Sequence, residues 1–386
     1  MWLVDERHAL TAFGEFAPHR CGRQGCDTEG MAHPTLLPPT DQGLYCPIAD
    51  VYIDPWVAVP RAVVTHAHAD HLGPGCASYL VARAGLPVAR VRLGDDASIQ
   101  AVAYNEPVLV NAVELSLHPA GHILGSAQVR LAYRGEVVVV SGDYRLGPSA
   151  TCAPFEPVRC HTFVSESTFG LPIFHWAPDA EVFAAIDAWW AANARAGLTS
   201  LLFGYALGKA QRLLAGVDPT IGPIYTHGAV ERLVAAYRTA GVALPPTRPV
   251  AESMRGTDWG GALIIAPPWA HQSPWTRRFG GVTTGLASGW MRIRGTRRRR
   301  AVDRGFVLSD HADWPGLLEV IAATGASEVW ATHGYTSVLA RWLREQGTDA
   351  HVLPTRPVGS QDAAEDEAAS GEPDADAAEP GPEAEV

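Results

Sequence analysis

A short apolar run that ends in a cluster of histidines constrains this chain more than any other stretch. Residues 62–65 read Ala-Val-Val-Thr, and His66, His68, Asp70 and His71 follow directly. Apolar and β-branched residues in such a run predict a buried strand. In extended chain His66 and His68 point the same way, whereas Asp70 and His71 fall where the chain turns. These four imidazole and carboxylate groups are more than one zinc or manganese ion usually needs, so the motif predicts two metal ions.

Three further residues of metal-binding type follow strand-like segments. His122 lies between Gly121 and Gly125, Asp143 follows a run of valines, and His333 precedes a glycine. Each of them alone could equally be a polar residue satisfied by its neighbours. Likewise, the first motif alone could be a polar turn after a strand. Because all of these residues occur in one chain, we favour a single metal site.

The order of these residues resembles the metallo-β-lactamase fold. The matching residues are Asp54, His66, His68, Asp70, His71, His122, Asp143 and His333. The resemblance implies an αββα sandwich, in which two sheets lie between helices. It also implies two divalent ions, zinc or alternatively manganese, at one edge of the sheets. One ion would be bound by His66, His68 and His122. The other would be bound by Asp70, His71 and His333. Asp143 would bridge the two ions, and Asp54 would orient the histidine loop.

An α/β segment inserted between Glu166 and His311 narrows the resemblance. Alternating strand and helix patterns across this segment predict a second, mostly parallel α/β unit. The arrangement resembles the β-CASP nucleases, in which a cap domain is inserted into the metallo-β-lactamase fold. Glu166, His311 and His333 match the acidic and later histidine motifs of that group. The run Phe203–Arg212 resembles its cap signature.

The resemblance implies a discontinuous domain organisation. The lactamase-type domain would comprise residues 34–175 and 304–358, and the cap residues 176–303. Residues 1–33 would be an irregular N-terminal extension, and residues 359–386 an acidic tail whose composition predicts disorder. Within the first domain we expect a helix at 77–84 and a strand at 88–93.

Three segments resemble the bacterial ligase-associated DNA exonucleases, relatives of the Artemis-type repair nucleases. They are Pro119–Ser126, Leu207–Arg212 and Ser288–Asp313. The resemblance implies a DNA exonuclease in end processing or repair. It also implies a functional association with an ATP-dependent DNA ligase and a helicase. In the wider group a histidine at the position of His333 is typical of RNA-processing members. A ribonuclease of the same fold therefore stays an alternative.

Two other functions fit the sequence less well. A small-ester or thioester hydrolase would share the metal ligands but lack the inserted cap and the arginine run described below. A binding subunit without activity would have lost ligands, yet none of the expected ligand positions is lost.

Catalytic roles follow from the same residues. We expect the metal ligands Asp70 and Asp143 to hold the ions that activate water for attack on a phosphodiester. His311 would donate a proton to the leaving oxygen or grip the scissile phosphate, with Glu166 setting its orientation.

The charge distribution leaves room for a nucleic-acid surface. The net charge is −11, but ten acids lie in residues 361–386, and the remaining 31 acids nearly balance 30 bases. We expect phosphate contacts from a run of arginines, namely Arg292, Arg294, Arg297, Arg298, Arg299 and Arg300. Lys209 and Arg212, near a predicted helix start, could also hold a phosphate.

The remaining features place the chain in a reducing compartment. Free thiols explain the six cysteines best. Cys21 and Cys26, with His19 and His33 nearby, offer a looser alternative as a structural zinc site. The chain shows neither a signal pattern nor an apolar run that would span a membrane. We therefore expect a soluble cytoplasmic protein without a membrane partner.

Overall fold

The computed structural model describes residues 36–254, 256–295 and 300–353 of the 386-residue chain. Several predicted features lie outside these described residues. They are the N-terminal extension with its Cys21 and Cys26 pair, the arginines Arg297, Arg298 and Arg299, and the acidic tail.

Strands and helices alternate irregularly along the chain. The strands are β1 (Pro39–Thr40), β2 (Gly43–Cys46), β3 (Val51–Ile53), β4 (Arg61–Val63), β5 (Ser78–Ala82), β6 (Ile99–Val102), β7 (Val108–Val110), β8 (Val113–Pro119), β9 (Ala127–Tyr133), β10 (Glu136–Val140), β11 (Thr162–Ser167), β12 (Thr199–Phe203), β13 (Ile224–Thr226), β14 (Arg248–Pro249), β15 (Leu263–Ala266), β16 (Val282–Ala287), β17 (Arg304–Phe306), β18 (Glu328–Gly334) and β19 (Asp349–Val352). The α-helices are α1 (Leu86–Leu93), α2 (Asp179–Arg195), α3 (Lys209–Gly216), α4 (Gly228–Thr239), α5 (Trp314–Thr324) and α6 (Thr336–Glu345). The fold is therefore mixed α/β.

Two mixed sheets pack face to face. The first contains β1 to β6 in chain order, and the second has the order β19-β18-β11-β10-β9-β8-β7. Their facing side chains form one buried cluster, in which Ile53 and Leu80 of the first sheet join Leu115 and Val138 of the second. Burial of these apolar faces is the main force that holds the two sheets together.

Helices cover the outer faces of this pair of sheets. Val88 of α1 and Tyr237 of α4 pack with the outer face of the first sheet. Leu317 of α5 and Leu339 of α6 pack with the outer face of the second sheet. The layers are thus helix, sheet, sheet and helix, as the sequence analysis predicted.

A third sheet is built from the segment between β11 and β18. Its six strands have the order β14-β13-β15-β12-β16-β17, and all of their pairings are parallel. Helices α2, α3 and α4 contribute Ile186, Leu213 and Val230 to the core on one face of this sheet. The predicted parallel α/β unit is present. Because β17 pairs with β16, residues 304–306 lie with this inserted sheet, although the predicted boundary assigned them to the first domain.

Two local predictions in the first sheet were wrong. Residues 77–84 were expected to be a helix, but the structure has strand β5 there, paired in parallel with both β4 and β6. Residues 88–93 were expected to be a strand, but they lie in helix α1, which has Pro87 in its first turn. Short apolar runs do not distinguish a buried strand from a buried helix. The structure shows that the first run pairs with neighbouring strands and that the second does not. Among the described helices, none is long and apolar enough to cross a membrane.

The turn after β10 depends on a glycine at residue 142. Gly142 has φ +55°, and a methyl group there would lie 2.6 Å from Cβ of Thr65. Thr65 in turn donates from its backbone amide to Asp54 Oδ1 at 2.8 Å and from Oγ1 to Asp54 Oδ2 at 2.5 Å. The close approach of Gly142 and Thr65 therefore brings the strand end before Asp143 against the histidine loop.

We expect Gly142→Ala to destabilise the protein more than Gly135→Ala. Gly135 has φ +87° but nothing within 4 Å of an added methyl group, so its substitution adds only left-handed backbone strain of about 1–2 kcal/mol. Gly142→Ala adds a clash with Thr65, which we expect to cost about 1–3 kcal/mol more. Urea unfolding of the two variants measures the difference. Equal losses of unfolding free energy would contradict this close packing.

Candidate metal centre and adjoining cleft

Strand ends bring most of the predicted site residues to one edge of the two packed sheets. Asp54 follows β3 and His66 follows β4, and these two strands pair in parallel. Asp143 follows β10, while Glu166 and His333 lie near the ends of β11 and β18. Since β10, β11 and β18 also pair in parallel, their carboxyl ends meet at the same edge. The β-sheet pairing thus assembles residues that are far apart in sequence.

Three histidines and one aspartate form the largest group of possible ligands among the described residues. The ligand atoms of His66, His68, His122 and Asp143 all lie within 4.8 Å of one another, and all four residues are buried. His68 Nδ1 is 3.1 Å from Nε2 of both His66 and His122. Asp143 Oδ2 is 3.5 Å from His66 Nε2. These atoms surround one small volume.

Two of these rings are held by backbone carbonyl groups through the nitrogen that faces away from the group. His68 Nε2 donates to the carbonyl of Leu207 at 3.2 Å. His122 Nδ1 donates to the carbonyl of Asp310 at 2.8 Å. A carbonyl oxygen can only accept, so each contact places the proton on the outer nitrogen and turns the unprotonated inner nitrogen toward the group. Metal-binding histidines are commonly oriented in this way.

His71 is oriented by a carboxylate in the same manner. Its Nδ1 lies 2.7 Å from Asp54 Oδ2. Its buried Nε2 has no hydrogen-bond partner among the described residues, and it faces Asp70 Oδ2 at 3.6 Å and Asp143 Oδ2 at 3.7 Å. The structure thus places Asp54 where the sequence analysis expected it, behind the histidine loop.

Burial and mutual repulsion keep the inner histidines neutral. Burial, followed by the neighbouring imidazoles, holds the pKa of His66 and of His122 well below the usual value. Burial likewise lowers the pKa of His68 to about 4. For Asp143, burial and the nearby Glu166 raise the pKa to about 7. Neutral imidazoles around a buried carboxylate that is costly to ionise form a donor set that a divalent cation would stabilise.

These contacts fit the metal that the sequence predicts. Among the described residues His71 Nε2 has no hydrogen-bond partner, and His68 and His122 turn their unprotonated nitrogens inward. Nitrogen and carboxylate oxygen donors suit zinc or manganese.

The second predicted ligand set is more open than the first. Besides Asp70 and His71 it includes His333, whose ring centroid lies 5.4 Å from that of His71. Burial and His71 lower the pKa of His333. Oδ2 of Asp143 faces both sets, at 3.5 Å from His66 and 3.7 Å from His71. This position fits the bridging role predicted for Asp143.

Glu166 and His311 form a buried pair beside the metal group. His311 Nδ1 lies 2.9 Å from Glu166 Oε2 and 3.9 Å from Asp143 Oδ2. The other oxygen of Glu166 accepts from the backbone amide of Tyr144 at 2.7 Å. Burial opposes the charge on His311, but Glu166 and Asp143 raise its pKa to about 9. The pair therefore presents a protonated imidazole next to Asp143 at neutral pH.

Lys209 and Arg212 have internal partners, and this differs from the expectation that they hold a phosphate. Lys209 Nζ lies 2.7 Å from Asp310 Oδ2. Arg212 donates to Asp310 Oδ1 at 2.6 Å and to both oxygens of Asp179 at 2.6 and 2.7 Å. Both cations are buried, with 2% and 8% of their surface exposed. We therefore assign them to the support of the site rather than to direct phosphate contact.

The arginine run is only partly within the described residues. Arg292 and Arg294 are exposed, and Arg292 Nε donates to the carbonyl of Ile173 at 3.2 Å. Arg300 is half-buried and lines a small pocket with Tyr205 and Trp290. Phosphate contact by this run stays a prediction.

A groove of about 350 Å³ adjoins the histidine loop. Ala69 and Leu72 of that loop line one end, Arg92 of α1 lines a wall, and the inserted unit contributes Arg232 and Trp269. This groove combines positive charge with an aromatic face, and sequence inspection did not identify it.

Tyr205 connects the groove with the candidate site. It lines the groove, the small pocket next to Arg300, and the pocket formed by His68, Asp70 and His311. The three cavities therefore share a wall at this residue.

The sequence is similar to a protein named as a DNA ligase and to proteins named as ribonucleases. No family model matches the sequence. A probable DNA ligase of Opitutus terrae is 31% identical over 316 residues, which make up 81% of this chain and 30% of that protein. An endoribonuclease, ysh1, of Aspergillus fumigatus is 29% identical over 36% of this chain and 17% of its own length. An RNase J-like protein of Methanocaldococcus jannaschii is 24% identical over 47% of this chain and 50% of its own length.

The chain thus spans less than a third of the ligase and half or less of the two ribonuclease relatives. Among solved structures, a protein of unknown function from Enterococcus faecalis V583 superposes with a TM-score of 0.52 at 11% identity. That match covers 77% of this chain and 79% of the other, and it shows a likeness of fold alone. Of these three curated relatives, one is named as a probable DNA ligase and two are named as ribonucleases.

Proposed function

We propose that this protein is a metal-dependent DNA exonuclease that hydrolyses phosphodiester bonds during DNA end processing or repair. The observation that carries the proposal is the buried group of His66, His68, His122 and Asp143 with the His311 and Glu166 pair beside it. These side chains surround one volume, and we assign the first four to metal binding and the His311 and Glu166 pair to proton donation. The domain division predicted from sequence, with a β-CASP cap inserted into a lactamase-type domain, belongs to the same proposal.

His66, His68, His122 and Asp143 would hold one cation, and Asp70, His71 and His333 would complete a second site shared through Asp143. Bound divalent cations would supply Lewis-acid activation of water and would neutralise charge on the phosphate.

The residues of the chain would perform the remaining steps. Asp54 and the carbonyls of Leu207 and Asp310 hold the imidazoles in place. His311, kept protonated by Glu166, would donate from Nε2 to the leaving oxygen while Nδ1 remains bonded to the carboxylate.

DNA is favoured over RNA by the relative with the greatest coverage of this chain. The probable DNA ligase aligns with 81% of the chain, whereas the ribonuclease relatives align with 36% and 47%. The ligase name also supports a functional association with an ATP-dependent ligase, while a helicase partner rests on the sequence resemblance alone. A β-CASP ribonuclease is the second candidate, because relatives named for RNA cleavage also match.

Digestion of matched DNA and RNA oligonucleotides, each labelled at the 5′ or the 3′ end, tests the substrate. The protein is reconstituted with zinc or with manganese, and His68→Ala serves as the control for contaminating nuclease. We expect mononucleotides from DNA and far slower cleavage of RNA. Faster cleavage of RNA would establish the ribonuclease alternative, and cleavage of neither polymer would refute the proposed function.

His68→Ala and His311→Ala separate metal binding from proton transfer. We expect His68→Ala to abolish turnover and to lower the metal content, because His68 lies within the largest described group of possible ligands. We expect His311→Ala to lower kcat by about 10²–10⁴-fold with metal content retained, because it removes the proton donor. Elemental analysis and steady-state kinetics measure both quantities, and exposed His175 provides the control variant His175→Ala. Wild-type metal content in the first variant, or wild-type kcat in the second, would contradict these roles.

Arg232→Gln tests whether the groove carries the nucleic-acid strand. We expect binding to weaken several-fold and the slope of log affinity against log salt to fall by about 1, as for the loss of one phosphate contact. Turnover of bound substrate should change little, since Arg232 lines the groove but not the pocket that contains His68 and His311. Arg341→Gln, on an exposed part of α6, is the matched control. An unchanged salt dependence would place the strand elsewhere.

A further inference from the structure

We infer that Lys209 and Arg212 of the inserted unit are positioning residues for the metal-binding histidines. The inference rests on the proposed metal site, and it gives a role to the signature Leu207–Arg212 that direct phosphate binding does not explain. The inserted unit would thereby hold the ligands of the first sheet and of the β8–β9 loop in register.

The first link is a backbone carbonyl of the inserted unit. The carbonyl of Leu207 accepts from His68 Nε2 at 3.2 Å, across 139 residues of sequence. The next residue, Gly208, has φ +85°, and a methyl group there would lie 2.2 Å from Cγ2 of Ile123. The chain therefore passes too close to the His122 loop for any side chain at residue 208. This contact leaves the Leu207 carbonyl little freedom to move relative to His68.

The second link runs through Asp310. Its carbonyl accepts from His122 Nδ1 at 2.8 Å, and its carboxylate is bound by Lys209 at 2.7 Å and by Arg212 at 2.6 Å. Arg212 also donates to the carbonyl of Ser309 at 2.5 Å. Two buried cations thus fix both oxygens of one side chain and the peptide group before it. The carbonyl that orients His122 cannot shift unless these ion pairs change.

The network closes on the strand end that carries Asp143. Arg212 and Arg145 both bind Asp179 at the start of α2, at 2.6 and 2.7 Å. Arg145 lies two residues after Asp143, and its amide donates to the carbonyl of Ala120 at 3.1 Å. Asp179 keeps 35% of its side-chain surface exposed, but Arg145 and Arg212 are nearly buried, and buried cations remain only where their partners are well placed. The ion pairs therefore join the inserted unit to both loops that supply ligands.

A purely structural role predicts a different outcome from a positioning role. If the ion pairs only stabilise the fold, a variant that folds should bind metal with wild-type geometry and turn over at the wild-type rate. If they position His122, the folded variant should show altered ligand geometry and a lower kcat while substrate binding is retained.

Arg212→Lys and Lys209→Met, each loaded with Co²⁺ as the probe metal, distinguish these roles. Arg212→Lys keeps the charge but cannot reach Asp310 and Asp179 with a fork of donors. We expect the visible d–d absorption of the bound Co²⁺ to change, kcat to fall by about tenfold or more, and KM to stay within about threefold. Arg238→Lys is the control, since Arg238 pairs with Glu231 on an exposed part of the same unit.

The inference is overturned if the folded variants keep either the wild-type Co²⁺ spectrum or the wild-type kcat. Each variant is measured well below its own Tm, and where Lys209→Met does not yield folded protein, Arg212→Lys alone decides. The spectrum does not depend on which polymer is cleaved. A wild-type protein that binds Co²⁺ but cuts no nucleic acid would therefore refute the proposed function. The Co²⁺ spectra of the variants would still test the positioning role.

Discussion

A buried carboxylate surrounded by imidazoles is the constraint on which the rest of this structure depends. Asp143 has no exposed surface, and its Oδ2 lies within 3.9 Å of nitrogens from His66, His71, His122 and His311. Burial and the nearby Glu166 make such a carboxylate resist ionisation, and its raised pKa expresses this. A divalent cation would offset that cost. The fold therefore has to hold the four segments that carry these residues close together.

The fold meets this demand with contacts that reach across sequence. The parallel pairing of β10, β11 and β18 sets Asp143, Glu166 and His333 side by side. On the other sheet, Asp54 holds the histidine loop in place, because its carboxylate is bonded to both Thr65 and His71. The inserted unit adds its own contacts from behind the ligands, and α4 packs both on the third sheet and on the first. The inserted unit and the histidine loops therefore share contacts that hold the site together.

The sequence allowed us to predict that the candidate ligand residues lie close together, but not which groups support them. The histidine motif, His122 and Asp143 stand at strand ends, and strand ends are visible as apolar runs followed by polar residues. Asp310 and the Leu207 carbonyl were missed, because neither a backbone carbonyl nor a carboxylate that pairs internally has a sequence signature. The expectation that Lys209 could hold a phosphate came from its charge, which is visible in the sequence. Its buried partner is visible only in the fold. The helix predicted at 77–84 and the strand predicted at 88–93 were wrong because short apolar runs are compatible with either structure.

The identity of the sugar has to be decided outside the metal centre. A phosphodiester presents the same phosphate oxygens in DNA and RNA, so ligands that hold cations against those oxygens do not distinguish the two polymers. Relatives named for DNA ligation and for RNA cleavage both match this chain, and only the greater coverage by the ligase favours DNA. The 2′-hydroxyl is the group that differs. Under the proposed function, discrimination would fall to side chains near the metal group, and Tyr205 and Ser288 of the inserted unit line the pocket that contains His311. The unit that we propose to position the ligands would then also contribute to substrate choice.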